Sequence, residues 1–384
     1  MSLTFTRAQI HGNVVAGFTY SAFGNGVVVL GTNNGGAVWS DDGGYNFYPC
    51  NIDVGWWDPD YSNLGVEQVC FMHGRFFAFT GGRHILRSDD GKTFTVALET
   101  DDRLLGIREQ KHCDSPIFIV GEDNTYTSED AGFTWDTRSK GYSSSAEERS
   151  FVVGHFVSDG DSQPYEMRAV NFTSTLGQHV FTVQSARCGS EATYIGNHHH
   201  TNPDYGMVYD VLRDPKYPDR ILMADSGWHS NYSGASYTLI DQPPSPGKGI
   251  DPDSYSLLSE VVDQFDWYCS VRCFHDLGGE VLAGGAAAAD LSSPRFTYCP
   301  SIVSLDGSQQ YLFTELMTGY SWQDEYAVRT TIQTQDTLVI AGGYFGHHYD
   351  DDNAPPFVYV AQYSSGPPGV ENFWVDQRNV TELA

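Results

Sequence analysis

Basic residues are scarce in this chain. Its 384 residues include only five lysines and sixteen arginines, against 49 aspartates and glutamates, which gives a formal net charge of −28 at pH 7. A surface of that sign repels the phosphate backbone of DNA or RNA. We therefore expect no nucleic-acid partner.

Long apolar runs are also missing. No stretch approaches the roughly 20 apolar residues of a membrane-spanning helix, and the first residues lack the basic and apolar regions of an export signal. We therefore expect no membrane insertion and no export by that route. The sequence contains no phosphate-binding loop, dinucleotide fingerprint, G-x-S-x-G elbow or H-E-x-x-H motif, so we expect no cofactor.

Cysteine usage argues against a disulfide framework and against a metal centre. The seven cysteines are scattered and odd in number, which favours free thiols. Cys269, Cys273 and His275 form a C-x3-C-x-H cluster, but no fourth ligand is evident and the spacing is atypical of zinc sites. We expect no bound metal.

Turn-forming and aromatic residues, by contrast, are abundant. The chain has 40 glycines, 17 prolines, 23 tyrosines and 22 phenylalanines. Glycine interrupts helices, and aromatic side chains suit the half-buried surface of a pleated sheet. This composition predicts an all-β fold with many tight turns.

A short acidic turn occurs three times, as SDDGGYNF at 40–47, SDDGKTF at 88–94 and SEDAGFTW at 128–135. Each copy follows two short strands that are separated by a glycine-containing break, which is typical of hairpins. Serine and aspartate can bind nearby backbone amides, glycine adopts backbone angles closed to other residues, and the aromatic side chain can pack beneath the turn. We predict a structural role for Ser40, Asp42, Gly44, Phe47, Ser88, Asp90, Gly91, Phe94, Ser128, Asp130, Gly132, Thr134 and Trp135.

Further hairpins without the turn motif follow at 179–196, 220–240, 280–307 and 337–366. Hairpins at such intervals predict a β-propeller of four-stranded antiparallel blades. Three clear units and four weaker ones favour seven blades, with six as the alternative. We expect residues 1–384 to form one propeller domain, with loop insertions around 139–168 and 242–256. An N-terminal strand in LTFTRAQI is expected to complete the last blade.

The three acidic turns resemble the Asp box, also called the BNR repeat, of sialidases and related propellers, although only the copy at 128–135 is full. The resemblance implies that the turns lie at the periphery of the blades, away from a central pocket, and that Asp42, Asp90 and Asp130 have no catalytic role. Sialidases also carry an Arg-Ile-Pro motif and three arginines that hold the substrate carboxylate. No such motif occurs here, and no spacing singles out three arginines. We predict no catalytic residue.

Two loop regions are candidates for contact with a ligand or a partner. Trp56, Trp57 and Tyr61 form the densest aromatic cluster, and such residues either anchor partners or pack over a neighbouring blade. His347 and His348, beside three aspartates, either bind a divalent ion or are solvated loop residues. We favour the solvated interpretation.

These observations favour a non-enzymatic structural or interaction propeller. Asp-box hairpins also recur in tail-associated phage proteins, which this chain resembles in style. The resemblance implies a virion component made in the host cytoplasm, oligomeric in its assembly, that binds other protein chains or a host-surface glycan. The alternatives are a sialidase-like glycoside hydrolase acting in the central pocket, a glycan-binding lectin propeller and, for location, secretion.

Overall fold

A computed structural model describes residues 3–12, 14, 17–32, 36–53, 65–66, 68–80, 82–109, 117–121, 123–139, 149–156, 165–173, 179–187, 208–217, 220–225, 235–239, 256–257, 269–288, 298–305, 309–316, 326–344 and 356–362. In these ranges the fold is all-β, and the one helical element is a single 3₁₀ turn at Thr314–Leu316. None of the described helical structure has the length and apolar character needed to cross a bilayer.

The described strands are short. In chain order they are β1 (Phe5–Arg7), β2 (Gln9–Ile10), β3 (Phe18–Gly24), β4 (Val27–Thr32), β5 (Ala37–Ser40), β6 (Asn46–Pro49), β7 (Asn51–Asp53), β8 (Gln68–Met72), β9 (Arg75–Phe79), β10 (His84–Ser88), β11 (Thr93–Glu99), β12 (Leu104–Glu109), β13 (Ile117–Gly121), β14 (Asn124–Ser128), β15 (Asp136–Ser139), β16 (Arg149–Phe156), β17 (Tyr165–Thr173), β18 (His179–Arg187), β19 (Val208–Arg213), β20 (Arg220–Asp225), β21 (Ala235–Leu239), β22 (Ser256–Leu257), β23 (Cys269–Asp276), β24 (Val281–Ala288), β25 (Tyr298–Ser304), β26 (Gln310–Leu312), β27 (Tyr326–Gln333), β28 (Thr337–Tyr344) and β29 (Phe357–Gln362).

Within the described ranges these strands form seven sheets, built mainly from consecutive antiparallel neighbours. We call the strand at one edge of each sheet its first strand and give the order of the strands from that edge to the other. The orders are β3-β4-β5-β6-β2, β8-β9-β10-β11-β7, β12-β13-β14-β15, β16-β17-β18, β19-β20-β21-β22, β23-β24-β25-β26 and β27-β28-β29-β1. Two of the outermost strands, β2 and β7, pair in parallel with β6 and β11.

The sheets follow one another in a closed cycle. The first strand of each sheet contacts the first strand of the next, from β3 through β8, β12, β16, β19 and β23 to β27, and β27 contacts β3 again. The fold is therefore propeller-like: the sheets contact each other around a common centre.

Apolar burial takes place between neighbouring sheets. Strand β4 is buried along its whole length because its residues alternate between two interfaces. Val28 and Leu30 pack with Val339 and Val358 of the last sheet. Val27 and Val29 join a separate cluster with Phe76 and Leu86 of the following sheet. The sequence of an inner strand that is buried on both faces is therefore apolar throughout, rather than alternating between apolar and polar residues.

Two contacts join the end of the cycle to its beginning. Strand β1 pairs antiparallel with β29, with Phe5 opposite Ala361, which confirms the predicted N-terminal closing strand. The buried Ser21 hydroxyl of β3 lies 2.6 Å from the Thr330 hydroxyl of β27 and donates to the Thr331 carbonyl at 3.1 Å. The ring is closed by a main-chain pairing at its rim and by a side-chain link at its centre.

Six of the seven first strands carry a bulge. The register shifts lie at Phe18/Tyr20, Leu104/Gly106, Val152/Gly154, Val208/Asp210, Val271/Cys273 and Val328/Thr330. The residue after a bulge contacts the next first strand at two junctions: Asp210 accepts a hydrogen bond from the Phe274 amide at 2.9 Å, and Thr330 meets Ser21. A bulge bends its strand and re-aims side chains, here toward the next sheet.

The predicted insertion at 139–168 is interrupted by strands. Residues 149–156 form β16 and pair with β17, which begins at Tyr165. The apolar run in FVVGHF supplies the strand that the polar flanking sequence obscured. Of the second predicted insertion, 242–256, all but Ser256 lies outside the described residues.

We predict that Ser21→Ala destabilises the protein by about 1–3 kcal/mol, because the buried Thr330 hydroxyl loses its partner. Unfolding in urea measures the change. Thr95→Ala on the exposed side of β11 is the matched control and should change stability by less than about 0.5 kcal/mol. Equal effects of the two substitutions would contradict the proposed importance of the central link.

Candidate functional site

The three acidic turns share one hydrogen-bond pattern. In the turn at 128–135, the Ser128 hydroxyl donates to Asp130 Oδ1 at 3.0 Å and accepts from the Gly132 amide at 2.8 Å. The corresponding serines, Ser40 and Ser88, make the same two contacts in their own turns. The serine thus orients the aspartate and fixes the glycine, which explains the S-x-D spacing.

Each aspartate carboxylate is held by the turn that follows it. Asp130 Oδ1 accepts from the amides of Phe133 and Thr134 at 3.0 and 2.8 Å, and Oδ2 accepts from the Thr134 hydroxyl at 2.7 Å. Asp42 makes the equivalent contacts, with the Asn46 side chain in place of the threonine hydroxyl. The carboxylates serve the turn itself.

The electrostatics of the turns agree with this structural role. Hydrogen bonds from the amide and hydroxyl of Thr134 lower the pKa of Asp130 to about 2. Burial is the largest influence on the pKa values of Asp42 and Asp90 and raises them, but the combined hydrogen bonds to each carboxylate lower both below the ordinary value. Such a depressed pKa is the reverse of what a general acid near neutral pH requires.

We predict that Asp130 contributes to stability in a pH-dependent way. Its folded pKa of about 2 lies below its unfolded value, so the contribution is present above about pH 4 and is lost as the pH falls toward 2. Urea unfolding of the natural protein and of Asp130→Asn should therefore differ most at pH 5, and the difference should shrink as the pH falls and disappear only below about pH 2. Glu129→Gln controls for the loss of one negative charge. A difference between the natural protein and Asp130→Asn that stays constant over this range would refute the prediction.

The aromatic residues that end the turns differ in burial. Phe47 and Phe94 are fully buried, as expected for side chains that pack beneath a turn. Trp135 is only half-buried, and its indole N–H donates to the Ala97 carbonyl of the preceding sheet at 2.9 Å. The third turn therefore combines apolar contact with a polar contact that phenylalanine cannot make.

The residue after the turn glycine contacts the preceding sheet. Lys92 lies 4.1 Å above the Trp39 ring, and its ammonium is 2.8 Å from Asp41. In the next turn, Phe133 lies 3.9 Å from the Arg87 guanidinium. Trp39 and Arg87 hold equivalent positions, directly before the serine of their own turns. The same junction thus uses a cation–π contact twice, with the cation and the ring exchanged.

The first acidic turn contacts the last sheet. The Thr337 hydroxyl donates to the Gly43 carbonyl at 2.7 Å. Gly44 has φ +97°, and a Cβ at this position would lie 2.5 Å from a Val339 methyl group. Each acidic turn therefore both closes its own hairpin and packs against the sheet before it.

We predict that Gly44→Ala destabilises the protein by about 2–4 kcal/mol, since it combines a left-handed backbone with a steric overlap. Gly26→Ala is a matched control: Gly26 has φ +78°, but no atom lies within 4 Å of its Cβ position. It should cost only the backbone term of about 1–2 kcal/mol. Thermal or urea unfolding compares the two, and a cost for Gly26→Ala as large as that for Gly44→Ala would contradict the packing contribution.

A row of aromatic rings crosses the outer strands beside the first acidic turn. Trp39 on β5 is opposite Tyr48 on β6, and their ring centroids are 5.2 Å apart. The His11 ring stacks on Tyr48 at 4.5 Å with an interplanar angle of 4°. We call His11, Tyr48 and Trp39 the aromatic row. Tyr48 is among the exposed large apolar residues of the described ranges.

Sequence reasoning did not single out the aromatic row. The available signal was position: Trp39 directly precedes the first turn serine, and Tyr48 follows the buried Phe47, so both lie on the face opposite to Phe47 in period-two strands. The loop residues that were singled out, Trp56, Trp57, Tyr61, His347 and His348, lie outside the described residues.

Histidine and cysteine side chains of the described residues lie mostly in buried positions of the sheets. Among the described residues, no group of three histidine, cysteine or acidic side chains is placed to hold a metal ion. Cys50, Cys70, Cys273 and Cys299 are free thiols. Burial lowers the pKa of His275 to about 4, so its imidazole is neutral at neutral pH.

The centre of the cycle carries two arginines at equivalent places. In β23 the bulge leaves Arg272 without a paired residue on the neighbouring strand, and in β27 it leaves Arg329 in the same position. Strands β23 and β27 are first strands that contact each other. Arg272 is buried, and Arg329 is half-buried. Two guanidinium groups of a strongly acidic protein therefore come from neighbouring strands of the central ring.

No protein-family model and no curated protein matches this sequence. Among solved structures, the chain is similar to the computationally designed Ika8 protein, with 8% identity, a TM-score of 0.47, and coverage of 92% of this chain and 99% of that one. It is also similar to the WD40 β-propeller domain of Doa1, with 9% identity, a TM-score of 0.41, and coverage of 71% and 77%. Neither similarity says what this chain binds or does.

Proposed function

We propose that this protein is a non-enzymatic structural or interaction propeller, and specifically a tail-associated virion component that mediates assembly or attachment to the host surface. The observation that carries the proposal is the role of the repeated turns. Their carboxylates are engaged in hydrogen bonds within the turn, and the turns pack against neighbouring sheets. The most recognisable motif of the chain therefore supports a framework rather than a reaction centre.

The proposed framework is a seven-bladed propeller whose acidic turns are Asp boxes. Seven described sheets, the cyclic contacts of their first strands and the pairing of β1 with β29 support the blade count. The described sheets have three to five strands, and the two with five strands are those to whose rims β2 and β7 add. Each box joins the third and fourth strands of its blade, and it therefore lies on the outer side of the ring.

The virion assignment draws on composition and on the absence of a matching catalytic motif. Few lysines and abundant glycine and tyrosine suit a protein that presents loops to other chains. In this proposal the chain is made in the host cytoplasm, assembles as an oligomer and contacts other virion proteins. A secreted protein remains the alternative location.

Native mass measurement of the purified chain, beside a glycan-hydrolysis screen, tests the proposal. We expect a defined oligomer, or co-assembly with other virion proteins, and no turnover of aryl glycosides or sialosides. A monomer that cleaves glycans would overturn it.

A sialidase-like hydrolase is the second candidate, and Arg272 with Arg329 favours it. Two guanidinium groups from adjacent central strands are part of what is needed to hold a substrate carboxylate. In this case Arg272→Lys and Arg329→Lys should each lower kcat/KM for a sialoside at least about tenfold, since lysine cannot form a bidentate pair. Natural protein without measurable turnover would exclude this candidate and leave the structural one in place.

A further inference from the structure

We propose that Asn25 is a site of spontaneous deamidation, and that this modification weakens the contact between the first two sheets. The inference goes beyond the proposed function and does not depend on it. Asn25 is followed by Gly26, and the chain contains this dipeptide at one other place, Asn34–Gly35, which lies outside the described residues. Glycine has no side chain to hinder its own amide nitrogen, so an asparagine that precedes glycine is the most open to attack by the main chain.

The reaction takes place between the side chain and the next peptide unit. The Gly26 amide nitrogen loses its proton to solvent base and attacks Asn25 Cγ, so that a new C–N bond forms, the Cγ–Nδ2 bond breaks and ammonia leaves. Water then opens the succinimide ring at one of its two carbonyl groups. Opening at one carbonyl gives aspartate, and opening at the other gives isoaspartate, whose main chain is longer by one methylene group. Water is the only co-reactant.

The turn presents the reactive pair to water. Gly24 is opposite Val27 in the pairing of β3 with β4, so Asn25 and Gly26 form a two-residue loop. Their φ values are +50° and +78°, as in the type I′ hairpin turn that favours Asn-Gly. Both residues are exposed, and no atom lies within 4 Å of the Cβ position of Gly26. The described residues around Gly26 therefore leave room for the succinimide ring.

A contact with the next sheet restrains the side-chain amide. Asn25 Nδ2 donates to the Gly74 carbonyl at 3.1 Å and to the Asp89 carbonyl at 3.5 Å. Gly74 belongs to the equivalent turn of the second sheet, His73–Gly74, whose φ values are +49° and +74°. The side chain thus ties two hairpin turns together, and it must leave these acceptors before Cγ can turn toward the Gly26 nitrogen. Deamidation then requires a local opening of the hairpin but no unfolding of the ring.

The modified side chain reverses this contact. A carboxylate at position 25 has no N–H to donate, and its negative oxygens would face the carbonyl oxygens of Gly74 and Asp89. Arg75, the cation that follows Gly74, already pairs with the Asp89 carboxylate. Isoaspartate would add a methylene group to a two-residue loop whose flanking residues are held in register. Either product therefore loosens the junction between the first and second sheets.

Peptide mapping by mass spectrometry, after incubation of the purified chain at pH 8.5 and 37 °C with and without urea, tests the site. In urea above the unfolding midpoint, Asn25 should deamidate, whereas Asn46, which precedes the bulky Phe47, should stay intact over the same time. Without urea, Asn25 should react about 10- to 1,000-fold more slowly, because only the locally open fraction reacts. No slowing would show that the contact does not hold the amide. Slowing by much more than about 10³-fold would place the reaction in the globally unfolded chain. Either result would overturn the inference.

Two substitutions separate the effect of the added charge from the loss of the hydrogen bonds. Asn25→Asp is one of the modified products, whereas Asn25→Gly removes the side chain without adding charge and keeps a residue that accepts φ +50°. We expect Asn25→Asp to melt at least about 1 °C below Asn25→Gly, and protein aged until Asn25 is converted to melt below fresh protein. A melting temperature for Asn25→Asp equal to or above that of Asn25→Gly would overturn the proposed weakening of the junction.

Discussion

The structure depends on contact between neighbouring sheets all the way round a closed cycle. None of the sheets is wide enough to form a core alone, and the described apolar clusters each lie between two consecutive sheets. A cycle buries both faces of every sheet only if its last member meets its first. The pairing of β1 with β29 and the hydrogen bonds of Ser21 with Thr330 and Thr331 provide that meeting. An open stack would leave two apolar faces exposed to water.

The acidic turns add a second layer of connection at the rim. Each turn first satisfies its own backbone amides through serine and aspartate, and then presents its next side chain to the preceding sheet. The exchange of cation and ring between Lys92–Trp39 and Arg87–Phe133 shows that the same type of contact can form with the two partners exchanged. This tolerance explains why the residue after the turn glycine varies among the copies while serine, aspartate and glycine recur.

Sequence reasoning reached the local parts of the fold. The spacing of Ser128, Asp130 and Gly132 predicted a turn because these residues interact within five positions of each other. Interactions over so short a distance in the chain can be predicted from the order of the residues alone. The closing strand near Phe5 was also predicted, from its alternation. Strand β16 was not, because its polar surroundings suggested a loop. The hairpin at 280–307 retains one contact of this kind: the Ser304 hydroxyl accepts from the Gln309 amide at 2.9 Å.

The composition and the repeated turns by themselves determined an all-β chain of short hairpins, since turn chemistry and strand preference act between residues close in the sequence. Only the tertiary structure decided which surfaces those hairpins share. The aromatic row joins His11 to Tyr48, 37 residues later, through the register of neighbouring strands, and Arg272 and Arg329 occupy bulges in two separate sheets whose first strands contact each other. Such juxtapositions arise from strand register and from the closure of the ring, and no local pattern encodes either of them.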